Sequence, residues 1–484
     1  MKIVKELSKN GKIPWRRFIS SQSLQNYNSL KNVDEDNYNI LSTYKNKSYL
    51  NLSVCNNIIP KYVHDCLVNN LNKNATLNLE HLKIIEDRAL AAFNLENKYW
   101  GCVFNTSTHT EYTNLMDEYF LLKLFKNFVN YQSKIMIIIF TLLGKEPQEK
   151  NNKEESRMDK NILDEFYNIL YIKNNDKINY MEIKNQCEQF NPDLIYIDET
   201  NNPYNFNYEF ITTLRNIKSK INNKVYNEKA GVEDKSNTLV ITNISNKASF
   251  IIGNFISSPF SQADIVFSYL NENIRANNCY IIFYRKGFKN ISTQGKLIYY
   301  EYEDNLKKTY FQNNINNIIC SLSTSFKCIQ NCEFKEYIYQ INKNINILFL
   351  YLNKKYFNIH FDPNNNFLNI ACSNSLFNIQ EYHMFCKKLN ILFDIININK
   401  STYVQNSFNI GTNYLTALGM EEHDMKYVSE FINQSILLYL HMKQKSTNSN
   451  LTFLEYLESS FISSDILALS NDIHSFVSMF PSPS

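Results

Sequence analysis

Ser258-Pro259-Phe260-Ser261-Gln262-Ala263-Asp264-Ile265-Val266, followed by Ile281-Ile282-Phe283-Tyr284-Arg285-Lys286-Gly287, is the stretch on which the fold turns. Within it, residues 265–267 and 280–284 are short apolar runs rich in β-branched and aromatic residues, as are residues 239–242 just before. Runs of this length and kind suit strands buried in a mostly parallel sheet. Working outward toward the N-terminus, Lys134–Phe140 and residues 194–197 read as further strands, and residues 210–221 as a helix. Residues 79–93 are helical: Leu82, Ile85, Leu90 and Phe93 share a face, and Ala89, Ala91 and Ala92 favour helix. Residues 110–130 carry Leu115, Tyr119, Leu122, Phe125 and Val129 at helical spacing, and residues 50–71 read as an extended piece and then a helix. Alternating strands and helices predict an α/β fold. The polar stretches 144–160 and 222–237 read as loops or insertions.

Working toward the C-terminus, the pattern changes near Glu333. Residues 345–352 and 368–372 are strand-like, residues 380–389, 423–442 and 452–469 helical, and the Asn-rich stretch 356–367 reads as an insertion. A chain of 484 residues is too long for one core. The expected organisation is a basic segment over 1–40, an N-terminal arm over 41–79, a large α/β domain over 80–332 and a small α+β domain over 333–484.

Composition narrows the function. The 50 Lys and Arg against 47 Asp and Glu give a net charge of +3, with no basic field of the kind nucleic acid requires. The ten cysteines include no Cys-x-x-Cys and no paired metal-ligand spacing, so reduced thiols and no metal site are expected. The run from Ile135 to Leu143 is too short to cross a membrane and reads as a buried strand. The first thirty residues carry Lys2, Lys5, Lys9, Lys12, Arg16 and Arg17 against one acid, Glu6, with several serines. That is the composition of an organelle transit peptide or of a basic tail, so a mitochondrial or other organellar location is expected, otherwise a cytoplasmic one. Only 9 Gly occur, few for a chain this long, and glycine is the residue that loops use where the backbone must approach a ligand closely.

The opening stretch strongly resembles the serine hydroxymethyltransferases, in which Ser-Pro-Phe, a strand, the cofactor lysine and Phe-Tyr-Arg-Lys-Gly follow one another at this spacing. Three other stretches agree in order: Arg88-Ala89-Leu90-Ala91-Ala92-Phe93 with Trp100-Gly101; Pro192-Asp193-Leu194-Ile195; and Gly411-Thr412, Leu415-Thr416 and Gly419-Met420. The resemblance implies the pyridoxal-phosphate transferase fold of the aspartate-aminotransferase type, with a large, mostly parallel sheet domain and a small α+β domain. It also implies a dimer with sites at the subunit interface. The family moves the hydroxymethyl carbon of serine to tetrahydrofolate; the cofactor is the electron sink, and the protein tethers, tunes and orients it.

Carried over residue by residue, the resemblance puts other residues where the chemistry should be. The tether needs an amine, and Glu272 stands at the lysine position. Tuning needs an acid on the pyridine nitrogen and a ring-side His; Asn243 and Asn246 stand there. Orientation needs an Arg forked onto the substrate carboxylate; Asn409 stands there. Cys55 matches the serine of the family's Ala-Ser-Glu-Asn run. The Ser-Gly-Ser phosphate site, at a helix N-terminus in the family, corresponds to Thr108, His109 and Thr110. The family's Tyr-x-Glu-Gly-Tyr-Pro-Gly loop is absent where Leu71-Asn72-Lys73-Asn74-Ala75-Thr76 runs toward the next helix, and Gly144-Lys145-Glu146-Pro147 stands in place of its Gly-Gly-His loop. The leading expectation is therefore a catalytically inactive family member that binds no pyridoxal phosphate covalently. It would act as a structural or regulatory partner in glycine–serine and folate one-carbon metabolism, as a homodimer or paired with an active paralogue. Two alternatives stay open: a working glycine hydroxymethyltransferase with its lysine relocated to Lys247, and a scaffold repurposed to bind a metabolite or RNA.

Overall fold

The computed structural model describes residues 34–39, 48–71, 79–105, 118–140, 162–174, 177–215, 217, 238–271, 274–291, 295–310, 317–372, 377–395, 407–448, 452–458 and 464–480. The basic N-terminal stretch, the polar stretches at 144–160 and 222–237, Glu272 and the Thr108-His109-Thr110 triplet lie outside them. Of the first 49 residues, 35–39 form a helical turn; the account below concerns the compact unit from Leu50 onward.

The strands, in chain order, are β1 (Leu50–Asn51), β2 (Trp100–Asn105), β3 (Lys134–Phe140), β4 (Asn168–Asn174), β5 (Leu194–Asp198), β6 (Leu239–Asn243), β7 (Ile265–Leu270) and β8 (Cys279–Arg285). They continue with β9 (Phe288–Ile291), β10 (Leu297–Tyr299), β11 (Phe357–His360), β12 (Phe367–Cys372), β13 (Ile391–Leu392), β14 (Asp394–Ile395) and β15 (Ser407–Gly411). Seven of them form one sheet in the order β2-β8-β7-β6-β5-β3-β4. Its centre is parallel, and β8 runs antiparallel to both β7 and β2.

Side-chain alternation sorts this sheet into two faces. Met136, Ile138, Ile195, Ile197, Val240, Val266, Ile281 and Phe283 face one core, which they share with the buried helical residues Ile85, Leu90, Leu322 and Phe326. Those residues come from α2 (Leu79–Ala92) and α3 (Asn317–Cys328), while α1 (Lys61–Leu71) packs outside against α3. Ile135, Ile137, Leu194, Tyr196, Ile241, Ile265, Phe267 and Tyr284 face the opposite core, against Phe120, Leu121, Leu124 and Phe125 of helix Glu118–Phe125. The α/β class expected from the alternating pattern is what the chain adopts.

The motifs that carried the resemblance meet in one place. Gly101 lies opposite Tyr284 in the β2–β8 ladder, and a Cβ on Gly101 would fall 2.5 Å from the Tyr284 ring. Arg285 donates from Nε to the Ala263 carbonyl (2.8 Å) and from Nη2 to the carbonyls of Phe260 (2.8 Å) and Ser261 (2.7 Å). Its guanidinium lies over the Trp100 ring at 5.0 Å. Phe93, Trp100, Phe260 and Phe283 pack as an aromatic knot, with centroids 4.7 to 5.9 Å apart. Arg88 donates to the backbone and hydroxyl oxygens of Ser323 on α3. These residues hold the scaffold together, so they persist whether or not a site is used.

A four-stranded antiparallel sheet, ordered β11-β12-β15-β14, covers a third core with helix α4 (Cys332–Tyr351) and helix Asp424–Asn448. Three readings differ from the sequence expectation here. Residues 345–351, expected as strand, are the last two turns of α4: Phe334, Ile338, Ile341, Ile345 and Leu348 form a buried stripe of helical period, which outweighs the local density of apolar residues. The stretch 356–367 is no mere insertion, because it contains β11. Of the helix expected over 452–469, the described residues form Phe453–Glu458 and Ser464–Val477, the latter running past the expected end. The arm joins this part through β1, which pairs in parallel with β13. Among the described residues no helix is long and apolar enough to cross a membrane.

Candidate functional site

In open parallel sheets, ligands bind beyond the carboxyl ends of the strands. Here β5 ends at Asp198 and β6 at Asn243, directly opposite each other in the ladder. Asn243 closes a turn: its Oδ1 accepts from the backbone N–H of Ser245 (3.1 Å) and from the Ser245 hydroxyl (2.6 Å). Its Nδ2 donates to Thr200 Oγ1 at 2.9 Å and to Asp198 Oδ1 at 3.3 Å. Ser245 Oγ in turn accepts from the Tyr269 N–H, so the amide is fixed from three strands.

Asp198 was not singled out in the sequence, although an acid closing the buried run Leu-Ile-Tyr-Ile was the available signal. Its Oδ1 accepts from the Thr200 N–H (2.9 Å) and its Oδ2 from the Tyr196 hydroxyl (3.2 Å). Burial raises its pKa above the ordinary carboxylate value, and the hydrogen bonds from Thr200 and Tyr196 oppose that rise.

Asn246, Asn409 and Cys55 converge on the same region. Asn246 Nδ2 donates to the Thr200 carbonyl (2.9 Å), and its Oδ1 lies 3.6 Å from the buried Cys55 thiol. The Cys55 segment is set by Asp394, which accepts from the Ser53 hydroxyl (2.7 Å) and the Val54 N–H (2.6 Å). Asn409, on β15, accepts from its cross-strand partner Asn369 (2.8 Å) and donates to Asn201 Oδ1 (3.0 Å). Asn365 donates to the Asn202 carbonyl (3.1 Å) and Asn366 to the Asn246 carbonyl (2.7 Å). Side chains of the four-stranded sheet and its entry turn are thus hydrogen-bonded onto the strand-end loops of the seven-stranded sheet.

Lys247 has a definite place in this arrangement. Its Nζ lies 2.9 Å from Glu199 Oε2 and also donates to the Tyr204 carbonyl. Lys247 is 1% exposed and Glu199 0%. Glu199 Oε2 also accepts from Asn202 (3.1 Å), while its Oε1 is buried without a hydrogen-bond partner. Burial raises the Glu199 pKa, and Lys247 pulls the other way.

Pyridoxal phosphate would need an amine, an acid at its ring nitrogen and donors for its phosphate. The described residues do not fit it: the Lys247 amine is sealed in an ion pair, and Asn243, which the sequence resemblance expects opposite the ring nitrogen, is a neutral amide whose oxygen already accepts two hydrogen bonds. Among the described residues no group of three His, Cys, Asp or Glu is placed to hold a metal.

A large mixed sheet with a parallel centre, joined to a smaller antiparallel sheet over its strand ends, defines a pyridoxal-phosphate-dependent transferase scaffold of the aspartate-aminotransferase type. The chain belongs to the serine hydroxymethyltransferase family, whose family model matches residues 78–432; that family is pyridoxal-phosphate dependent. It is 25% identical to the mitochondrial serine hydroxymethyltransferase of Candida glabrata over 52% of this chain and 54% of that protein. It is 25% identical to the cytosolic enzyme of Candida albicans over 44% of this chain and 47% of that one. The match therefore spans about half the length of these fungal relatives. A serine hydroxymethyltransferase of Plasmodium falciparum is 23% identical over 87% of this chain and 92% of its own length.

Proposed function

We propose that this chain is a serine hydroxymethyltransferase-like protein that no longer performs the transfer and serves as a structural or regulatory partner in serine–glycine and folate one-carbon metabolism. The observation that carries this reading is the mutual engagement of Asn243, Asn246 and Asn409 with Thr200, Asp198, Asn201 and Asn369. A neutral amide cannot keep a pyridine nitrogen protonated. Nor can it offer a substrate carboxylate the charged, two-pronged contact of a guanidinium. Glu272 at the tether position cannot form a Schiff base. The Lys247 amine would have to leave a buried carboxylate to do so, and stranding a buried charge costs roughly 3–5 kcal/mol, which speaks against a relocated tether.

In this reading the large domain spans 80–332 and the small domain 333–484. Family members are typically dimers or tetramers, and the chain pairs with itself or with an active paralogue. Both mitochondrial and cytosolic relatives exist, and the basic N-terminus supports the mitochondrial location. The test is an absorbance spectrum and pyridoxal-phosphate titration of the purified chain beside its Glu272→Lys variant. The expected result is no aldimine band in the native chain; a saturable aldimine band there overturns the reading.

A further inference from the structure

Four large apolar side chains that this chain leaves in water stand on one short hairpin. Phe288, Ile291, Leu297 and Tyr299 are 52%, 59%, 57% and 55% exposed. All four belong to β9 and β10, which among the described residues pair only with each other. Leu297 lies opposite Ile291 and Tyr299 opposite Phe288. Leu297 and Tyr299, two apart on one strand, share a face of the ribbon. The register shift between Ile298 and Tyr299 takes up the extra residue Lys289, so Phe288 and Ile291 keep to that same face. There the Phe288 and Tyr299 rings meet edge to face, with centroids 6.4 Å apart.

The hairpin stands off the body of the protein. Neither of its strands has a buried residue. A Cβ on Gly295, in the turn, would meet nothing within 4 Å, so the tip lies in open space. The base is closed by the Tyr300 N–H, which donates to the Gly287 carbonyl (3.0 Å). The hairpin follows the end of β8, which runs antiparallel to β7, with Tyr284 opposite Ile265 at the start of β7. It therefore leaves the sheet at the edge opposite the strand-end crevice. Residues 286–300 carry Lys286, Lys289 and Lys296 and no Asp or Glu, and Lys289 and Lys296 are exposed. The next acids, Glu301, Glu303 and Asp304, follow at the start of helix Tyr302–Tyr310.

We propose that the β9–β10 hairpin is a docking element for an anionic membrane surface, on which the chain lies without crossing it. A bilayer interface takes apolar side chains at the acyl boundary and lysines among acidic headgroups, and binding grows with both contributions. The hairpin offers both on a projecting element, with tyrosine at the level where aromatic rings settle in an interface. Its charge selects the occupant: the hairpin of a second copy would bring four exposed lysines together, whereas an anionic lipid surface neutralises them. The inference does not depend on whether the crevice catalyses.

The full chain is sedimented with vesicles of phosphatidylcholine mixed with phosphatidylserine, and with vesicles of phosphatidylcholine alone. The expected result is binding to the first and not to the second, weakening as salt is raised. Lys289→Glu with Lys296→Glu should weaken binding by roughly tenfold or more, and Phe288→Ser with Leu297→Ser by about tenfold or more. These side chains are exposed, so Tm should stay unchanged in both variants. The basic N-terminal stretch can itself attract anionic vesicles, so the local readout is hydrogen exchange: peptides within 286–300 should exchange more slowly on vesicles. Absence of binding, equal binding to neutral vesicles, unchanged exchange in the hairpin, or full binding by both variants overturns the proposal. So does a change of oligomeric size in either variant by light scattering without vesicles, which would make the hairpin a contact between protein chains.

Discussion

The Asn409 amide nitrogen lies 3.0 Å from the Asn201 amide oxygen, joining β15 of the four-stranded sheet to the loop after β5 of the seven-stranded one. Asn409 is 1% exposed, and its own oxygen is taken by Asn369. The position where the family resemblance puts a carboxylate clamp is thus a rung in an internal ladder of amides. Each net hydrogen bond of this kind is worth about 0.5–1.5 kcal/mol, and such bonds join the two sheets.

Borohydride treatment in the presence of pyridoxal phosphate should leave no pyridoxyl-lysine at Lys247, because that amine is committed to Glu199 and the Tyr204 carbonyl. Peptide mapping after reduction is the check. A modified Lys247 would mean that the ion pair opens and that the relocated-lysine reading is correct.

Restoring the tether alone should not restore the reaction. On the proposed assignment, Glu272→Lys still leaves a neutral amide, Asn243, for the ring nitrogen and another, Asn409, for the substrate carboxylate. Serine cleavage by this variant should stay at background; turnover near that of an active relative would show that the other positions have been misassigned.

Removing one half of the buried pair should be costly. Lys247→Met strands Glu199, and a loss of roughly 3–5 kcal/mol is expected, while Lys247→Met with Glu199→Leu should recover much of it. The sign with pH is fixed by linkage. Burial raises the folded-state pKa of Glu199 above its unfolded value, so the folded state binds the proton more tightly than the unfolded one. In the Lys247→Met variant, where Lys247 no longer opposes that rise, stability should be greatest below the unfolded carboxylate pKa and fall as pH climbs through the raised folded value. Urea denaturation from acid to neutral pH measures it; a deficit that does not grow with pH would contradict a stranded Glu199.

Gly101→Ala should destabilise the fold without touching the crevice. The added methyl would lie 2.5 Å from the Tyr284 ring, which is itself completely buried. Overpacking of this kind costs typically about 1–3 kcal/mol. Thermal or urea unfolding would show it, and an unchanged midpoint would mean that the β2–β8 contact is looser than the geometry implies.

Pairing with an active paralogue should damp activity rather than complement it. The resemblance implies that each family subunit lends a Tyr-and-Glu loop to its neighbour, and on the proposed reading this chain has lost that loop. Co-purification followed by activity per active subunit is the test. A higher value in the heterodimer than in the paralogue's homodimer would refute damping, and failure to associate would remove the partner role.

The sequence by itself determined the large sheet. Its strands are short runs such as Leu-Val-Ile-Thr and Ile-Ile-Phe-Tyr, buried on both faces, and local composition is enough to mark such runs. It also determined the scaffold motifs, which the fold then explains as one contact node around Arg285, Trp100 and Phe260. It did not determine the end of α4, where Ile345 and Leu348 satisfy strand and helix patterns alike and only packing against the small sheet selects between them. Above all it could name Asn243, Asn246 and Asn409 as replacements, yet not say what each amide does. An amide both donates and accepts, so its role depends on which partners arrive from distant parts of the chain. Thr200 reaches Asn243 and Asn246 through the pairing of β5 with β6, Asn369 reaches Asn409 through the pairing of β12 with β15, and Asn201 reaches Asn409 only when the two sheets meet. The same holds for Lys247, whose availability depends on Glu199, 48 residues away in the chain and 2.9 Å away in space.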